Sequence, residues 1–534
     1  MIKRIIIKNY KCIEEADIDF NTEKNIIVGN NGVGKSTLME AMSLALGYGL
    51  SKFEITPYVF NLNAIREFER SKKLPEILIE LYFDGIKGEL SGTNNSQQIS
   101  ETGLYLRIKF DELYAELYNK ESENDSDSSN LPCEYYKVER YWFSQQPVVQ
   151  YKMPFQVQII DTSSLYFSSS STRYINHLID NSLSQEDTVS IKTSLRHIKE
   201  MFDAQDEIRR VNQKIEQRKK GLTLSVDITS RVEKRDIIYP LVEDIPVMQL
   251  GSGGINHLKT ILALNNDEGN PMPKVIILEE PESHLSHTKM YTMLRDIVES
   301  TNGNTVQLFI TTHNSFVANK LDLSNLILLE NNEYKLVHHK IKTDSNVYNF
   351  FQKVCHYPTL RMILCKAVIL VEGPADEMVL TYYFNRQYNK HPFDLGIELI
   401  SVGGTAFKTY VELLKNFNKK VAIITDNDGK ELDPLLGQRG LVDLPENIKV
   451  FTEADLHLNT LEPSFVSANK DKLHDLSNLV RNRKNNNDTE SNLVSYMQNN
   501  KTDWSCRLLN DVDNASFTTP LYIVDAVNWI LEDN

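Results

Sequence analysis

Residues 367–380 read AVILVEGPADEMVL. Ala367–Val371 is an unbroken apolar run that stops at Glu372-Gly373, with Asp376 and Glu377 close behind. A short continuous apolar run bounded by a turn signal is the pattern of a strand buried on both faces, as in a parallel sheet. A helix is expected after Glu372-Gly-Pro-Ala375, with Asp376 one turn along. Carboxylates at the end of a buried strand are costly to desolvate and repel one another, so this arrangement calls for a partner.

The same design recurs downstream. The strand Val421–Thr425 in VAIITDNDG is followed by Asp426 and Asp428, and a third acidic position, Glu462, lies in LNTLEPSF. Strand, acid, helix, then strand and Asp-x-Asp is the order in which a parallel sheet gathers acids at the carboxyl ends of its strands. Asp426 and Asp428 are two apart on a loop, so both can reach metal, and Glu372 ends the neighbouring strand. One or two Mg²⁺ or Mn²⁺ ions would resolve the repulsion among Glu372, Asp376, Asp426, Asp428 and Glu462, because hard cations take oxygen ligands. Two such ions can clamp the attacking and leaving oxygens of a phosphodiester. Alone, Asp-x-Asp or Glu-Gly says little; together, each ending an apolar strand, they are specific.

Upstream, residues 29–37 read GNNGVGKST, directly after the apolar strand Asn25–Val28 and before a helical stretch at 37–50. That is the setting a phosphate-binding loop requires. Across Asn30, Asn31, Gly32, Val33, Gly34 and Thr37 the glycines let backbone N–H groups wrap phosphates, Lys35 reaches the β and γ phosphates, and Ser36 binds magnesium. KVIILEEPE, residues 274–282, is a second strand ending in acids. Glu279 would support magnesium and Glu280 would polarise the attacking water of a bound ATP. Gly251-Ser252-Gly253-Gly254 precedes a helix and permits close backbone approach. VQLFITTH ends a further strand at His313.

The 534 residues amount to roughly three or four domains' worth of chain. With 41% apolar and 25% charged residues, a large core is available and disorder is not the default. A net charge of −15 excludes a chain uniformly coated for nucleic acid, though not a local basic groove. The five scattered cysteines form no CxxC pair, which points to reduced thiols in a cytoplasmic protein. The opening MIKRIIIKNYKCIEEADIDF alternates like a strand and is not a signal peptide. No apolar window is long enough to cross a membrane. Residues 1–170 and 226–350 read as two parts of an ATPase, 171–225 as a helical dimerisation insertion, and 362–534 as the acid-bearing domain. In the insertion, Ile191, Leu195, Ile198, Phe202, Ile208, Val211 and Ile215 recur at helical spacing. The basic cluster Arg209, Arg210, Lys214, Arg218, Lys219, Lys220, and the tract Arg481, Arg483, Lys484, each read as a solvated face or a contact with DNA or a partner. Stretches 92–103 and 119–130 are expected to be exposed loops.

The order GNNGVGKST, insertion, GSGG, VIILEEPE, TTHNS resembles the ABC-type ATPases of the SMC and RecF kind. In that resemblance GSGG is a signature loop acting on nucleotide held by the opposite subunit, with Gly251 and Ile255 replacing its usual Leu and Gln. Glu279 replaces the usual Asp, His313 is the switch histidine that senses the γ-phosphate, and Lys11 is near the nucleotide. ILVEGPADE, SVGGTAF and ITDNDG resemble a Toprim domain. The combination resembles the OLD (overcoming lysogenisation defect) family over essentially the whole chain. This family includes nucleases of Gabija and retron anti-phage systems. The resemblance implies an α/β fold: an ABC-type ATPase with a helical dimerisation insertion, then a Toprim domain with a Rossmann-like parallel sheet. It implies an ATP-regulated, Mg²⁺- or Mn²⁺-dependent DNA endonuclease, with slow ATP hydrolysis, acting as a homodimer or homotetramer. Glu462 is then the family's third acid and Lys501 the lysine that neutralises the scissile phosphate. A helicase-like protein, or a reverse transcriptase with its RNA–DNA product, is the kind of partner implied. The alternative is an ATP-dependent repair or recombination protein in which the Toprim part is a binding platform; a topoisomerase, a primase and a non-enzymatic scaffold are further readings.

Overall fold

The computed structural model describes the chain apart from residues 51–52, 87, 125–130, 150–151, 162–183, 219–240, 243, 265–271, 284, 302–305, 333–334, 355–357, 404–405, 483–487, 511–516 and 533–534. Part of the expected insertion, together with Lys219, Lys220, Gly404, Arg483 and Lys484, therefore lies outside the described residues. The chain forms two compact units, residues 1–313 with 327–339, and residues 314–326 with 340–534.

The first unit is built on one large mixed sheet. Its strands are β1 (Ile2–Tyr10), β2 (Ile13–Asp19), β3 (Lys24–Gly29), β4 (Ile77–Phe83), β5 (Ser91–Gly92), β6 (Glu101–Phe110), β7 (Tyr136–Trp142) and β8 (Gln156–Asp161). They continue, after the separate short hairpin of β9 (Leu241–Val242) and β10 (Ile245–Pro246), with β11 (Lys274–Glu279), β12 (Val306–Thr311), β13 (Leu326–Asn332) and β14 (Lys335–Lys340). The order is β5-β6-β4-β1-β2-β14-β13-β3-β12-β11-β8, with β7 paired to β6. β3, β12, β11 and β8 are parallel neighbours, in the register Ile310↔Ile26, Glu279↔Thr311 and Glu279↔Asp161. Both faces of β11 and β12 are covered, which is why KVIILE and VQLFIT are continuous apolar runs rather than alternating ones.

Helix Lys35–Ala45 buries Leu38, Met39, Met42 and Leu44 in the core shared by β1, β2, β4 and β6. Each such side chain stabilises the fold by about 1.5–3 kcal/mol relative to exposure. The helix stops at Leu46, ahead of Gly47 at φ 96°. Helical periodicity in the insertion appears as two helices, Gln185–Ala204 and Asp206–Arg218, broken at Gln205, with Ser184 and Asp187 forming a capping box. Residues 119–124 are helical, not loop: Ala115–Asn124 continues from a turn capped by Asp111, whose side chain accepts from Leu113 N. The run Ala-Glu-Leu-Tyr-Asn-Lys-Glu is rich in good helix formers, and that outweighs its low apolar content.

In the second unit β15 (Ala367–Val371), β16 (Ile397–Ser401), β17 (Val421–Ile424) and β18 (Ile448–Phe451) form a fully parallel sheet of order β16-β15-β17-β18. The chain runs from β15 outward to β16 and returns past β15 to β17, so the strand order reverses between β15 and β17. Ligands bind at such a switch point, outside the carboxyl ends of the strands. Helices Leu461–Ala468, Glu490–Asn499, Lys501–Asn510 and Leu521–Leu531 pack on this sheet around fully buried Phe465 and Trp504. Residues 340–361 are tied to this unit, with Lys342 N donating to Asn416 Oδ1 and Leu360 N to Ser315 Oγ. Arg481 is held by Asp488 and lies 4.3 Å from the Tyr496 ring centroid, so it is a structural side chain. Among the described residues no helix is long and apolar enough to cross a membrane.

Candidate functional sites

Because β3, β12 and β11 are adjacent and parallel, three loops leave the first unit's sheet at one edge. The loop after β3 turns through Gly32 (φ 77°) and Gly34 (φ 112°), conformations that side chains with a Cβ resist. A Cβ at Gly34 would also lie 3.3 Å from Cys12 Sγ. Helix Lys35–Ala45 begins here, so its first N–H groups, unpaired within the helix, belong to this loop. Asn30, Asn31, Gly32 and Ser36 are exposed, Val33 and Lys35 are buried, and the Thr37 hydroxyl is 3.2 Å from Cys12 Sγ. Lys35 Nζ donates to Gly29 O (2.8 Å) and Asn30 O (3.1 Å). Burial lowers its pKa, while the charges of Glu280 and Glu279 oppose that shift. Lys11 pairs instead with Glu40 on the helix.

Glu280 follows β11 at φ 42°, its N–H reaching Thr311 O and Thr311 Oγ1, both at 3.1 Å. His313 Nε2 lies 3.1 Å from Glu280 Oε1. Burial lowers the His313 pKa, the Lys35 charge lowers it further, and Glu280 works against both. Lys35, Glu279, Glu280 and His313 therefore share one electrostatic site. Glu282, to which sequence reasoning gave no role, braces it: Oε1 accepts from Thr312 Oγ1 and from His313 N at 3.3 Å. Its pKa is raised, chiefly by burial. Ser252, Gly253 and Gly254 form the first turn of helix Ser252–Leu264 instead of preceding it, with Gly253 buried.

The second site sits at the switch point. Glu372 follows β15, and its Oε1 accepts from Thr425 Oγ1 (2.6 Å) and Asp426 N (3.0 Å), on the loop after β17. Asp376 is in the first turn of helix Pro374–Tyr388, and Oδ2 accepts from Gly373 N at 3.1 Å. The Asp-x-Asp loop is held by its middle residue: buried Asn427 donates to Glu453 O and Asp455 O and accepts from Gly429 N. That turn puts Asp428 at φ 51°, a left-handed conformation that Asp tolerates better than most residues. Glu462, fully buried in helix Leu461–Ala468, accepts from Thr460 Oγ1 at 3.0 Å through Oε2. Lys501 Nζ, at the start of its helix, is 3.7 Å from Glu462 Oε1, and Oε1 is buried without a hydrogen bond.

Glu372, Asp376, Asp426 and Glu462 thus share one electrostatic site with Lys501, and Asp428 is joined to it through Arg439. Burial, then the charge of Glu372, pushes Asp376 to about 7. Burial, then Glu372, Asp376 and Glu462, pushes Asp426 to about 8, with Lys501 opposing. Tyr522 is raised well above its ordinary value by burial and by the same acids. Arg439, at the end of helix Leu432–Arg439, spans Glu372 (2.8 Å) and Asp428 (3.0 Å). Neither Arg439 nor Asn427 nor Tyr522 carries a sequence signal beyond its residue type.

Among the described residues no three acidic, His or Cys side chains form a ready-made ion cage. The donor set nonetheless fits a hard divalent ion. It is all oxygen, it holds an orphaned buried Glu462 Oε1, and burial and neighbouring acids raise Asp376 and Asp426 well above the usual carboxylate range. Mg²⁺ in particular is held by one or two carboxylates plus water and substrate phosphate, without a full protein cage.

Residues 1–318 match the AAA ATPase domain family, more than half of the 534-residue chain. The chain belongs to this family. In this AAA ATPase a second domain follows: residues 363–428 match the Toprim domain of overcoming lysogenization defect-like proteins. That match takes in Glu372, Asp376, Asp426 and Asp428 and stops before Glu462 and Lys501. The chain is similar to the endonuclease GajA of Bacillus cereus, 22% identical over 490 residues, 83% of this chain and 81% of the relative. It is similar to the Retron Ec83 probable ATPase of Escherichia coli, 24% identical over 399 residues, 62% of this chain and 71% of the relative. A shorter stretch of 72 residues, 13% of each chain, is 36% identical to the OLD nuclease of Thermus scotoductus.

Proposed function

We propose that this AAA ATPase is an ATP-regulated, divalent-metal-dependent DNA endonuclease and the effector of a bacterial anti-phage system. The observation that carries the reading is the acid cluster at the β15/β17 switch point, where burial and mutual charge hold Asp376 near 7 and Asp426 near 8. Acids forced to keep protons in a cleft are poised for a cation. The relatives named as endonuclease and OLD nuclease support DNA as substrate, and the resemblance of the motifs to the OLD family is the ground for the defence role.

Glu372, Asp376, Asp426, Asp428 and Glu462 would hold Mg²⁺ or Mn²⁺, which when bound supplies Lewis-acid polarisation of the phosphodiester. Lys501, beside Glu462, brings positive charge toward the scissile phosphate. In the first unit Lys35 and the loop 30–37 bind the ATP phosphates, Ser36 and Glu279 hold its Mg²⁺, Glu280 orients water and His313 reads the γ-phosphate. Ser252, Gly253 and Gly254 act on nucleotide held by a second copy, which makes the working form a homodimer or homotetramer. ATP binding then biases the nuclease state by its differential affinity for two conformations. A helicase-like protein or a reverse transcriptase with its RNA–DNA product is the proposed partner. The four described cysteines are unpaired, in keeping with a cytoplasmic setting.

The test is cleavage of supercoiled plasmid by the purified chain with Mg²⁺ or Mn²⁺, with and without ATP, beside Asp426→Ala. Cleavage lost in the variant establishes the nuclease, and its ATP dependence gives the sign of regulation. Equal cleavage by both proteins, or none by the wild type with its partner present, refutes the proposal.

A further inference from the structure

The geometry points to Arg439 as a positioning residue for the divalent ion: its buried guanidinium holds Asp428 and the Asp426 carbonyl by hydrogen bonds and sets its charge against Glu372. This rests on reading the acid cluster as a metal site. The Arg439 side chain is 4% exposed, and helix Leu432–Arg439 ends immediately after it at Gly440, φ 64°. Its Nη2 lies 2.8 Å from Glu372 Oε1, 3.0 Å from Asp428 Oδ2 and 3.2 Å from Asp426 O. The bonds to Asp428 Oδ2 and Asp426 O match its two hydrogens, and the Glu372 contact is an ion pair.

The consequence lies in the oxygen count. Glu372 Oε1 accepts from two donors, Thr425 Oγ1 and Asp426 N, and lies 2.8 Å from the charged Arg439 Nη2. Its lone pairs are used up, so Oε2 is left for the cation. Arg439 likewise takes Oδ2 of Asp428 and leaves Oδ1. One nitrogen thereby sets the rotation of Asp428, ties it to the Asp426 backbone and places a positive charge beside Glu372, while Nη1 is buried without a hydrogen bond. Guanidinium suits this task because it is always charged and carries the donor at the end of a rigid planar head; a lysine ammonium, on a flexible stem, does not reproduce that placement. The Phe407 ring, 5.7 Å from Arg439 Cζ, supports the guanidinium from the side. Outer partners that orient metal ligands typically contribute about 10–100-fold to metal affinity.

The opposing idea is that Arg439 is a resident counter-charge that an incoming ion must displace. The two differ in sign. The experiment is Mn²⁺ titration calorimetry on the full chain, comparing wild type, Arg439→Lys, Arg439→Gln and Asp426→Ala, with melting temperatures in EDTA to confirm folding. Arg439→Lys keeps the charge and loses the placement of Nη2, so it decides the matter if Arg439→Gln does not fold. We expect Mn²⁺ to bind Arg439→Lys about 10–100-fold more weakly than wild type. Unchanged or tighter binding overturns the inference while Asp426→Ala still loses Mn²⁺. If wild type and Asp426→Ala bind Mn²⁺ alike, the metal-site reading itself fails, and this inference falls with it.

Discussion

Metal binding to the acid cluster should release protons, and the amount follows from two groups. Asp376 holds its proton up to about 7 and Asp426 up to about 8. A carboxyl raised in this way is protonated in the free protein at neutral pH and must ionise to hold a cation, so affinity falls as pH falls. Asp376 titrating near 7 weakens Mn²⁺ binding by about fourfold, and Asp426 titrating near 8 by about 25-fold, between about pH 8.5 and about pH 6.5, about a hundredfold together. At about pH 7 the pair releases about 1.4 protons per ion bound. The two protons belong to the coupled cluster and not to either residue, so the count is the quantity to test. Calorimetric titration with Mn²⁺ in two buffers of different ionisation enthalpy gives both the affinity and the proton number. A flat affinity across that range with no proton release would refute the argument that burial and clustering hold these acids neutral.

Three further outcomes follow from the same contacts. In EDTA the melting temperature of the wild type relative to Asp426→Asn should fall as pH rises from about 4 to about 8, because the unfolded chain ionises a carboxyl that the folded one keeps protonated; saturating Mn²⁺ should reverse the trend, and a difference that stays flat or rises with pH would contradict it. Glu280→Gln should lower ATP turnover by about 10²–10⁴-fold while ATP binding, measured by calorimetry, persists; wild-type turnover would remove Glu280 from the water-orienting role. Asn427→Ala strips the bonds to Glu453 O and Asp455 O, should cost about 1–3 kcal/mol, and should lower both melting temperature and Mn²⁺ affinity; an unchanged Mn²⁺ affinity would show that the Asp428 turn is held by other means.

The legible part of this protein is the part written in local backbone. Apolar runs at 367–371 and 421–424 became adjacent parallel strands, and Gly32 and Gly34 turn as a phosphate loop needs. The helix at 115–124 was missed because its polarity resembles a loop, while its propensity decides the matter. Arg439, Asn427 and Tyr522 were illegible for a different reason. Each acts through side-chain contacts or charges spanning a dozen or more residues of chain, in positions that give no pattern of their own.

The two sites also differ in how they tolerate their acids. At the ATP edge Glu280 faces the Lys35 charge and the His313 imidazole, and Glu282 is tied to the loop after β12 by Thr312. Lys35 spends two of its three N–H groups on the carbonyls of Gly29 and Asn30, which leaves a third for a phosphate. At the β15/β17 switch point Arg439 and Lys501 meet a larger number of acids, and burial and mutual charge raise Asp376 and Asp426. Such a site responds to a diffusible cation and to pH without any rearrangement of the sheet. The ATP control proposed above would therefore act through the helices that carry Arg439, Glu462 and Lys501, because the strands β15 and β17 that Glu372 and Asp426 follow are fixed by their own ladder.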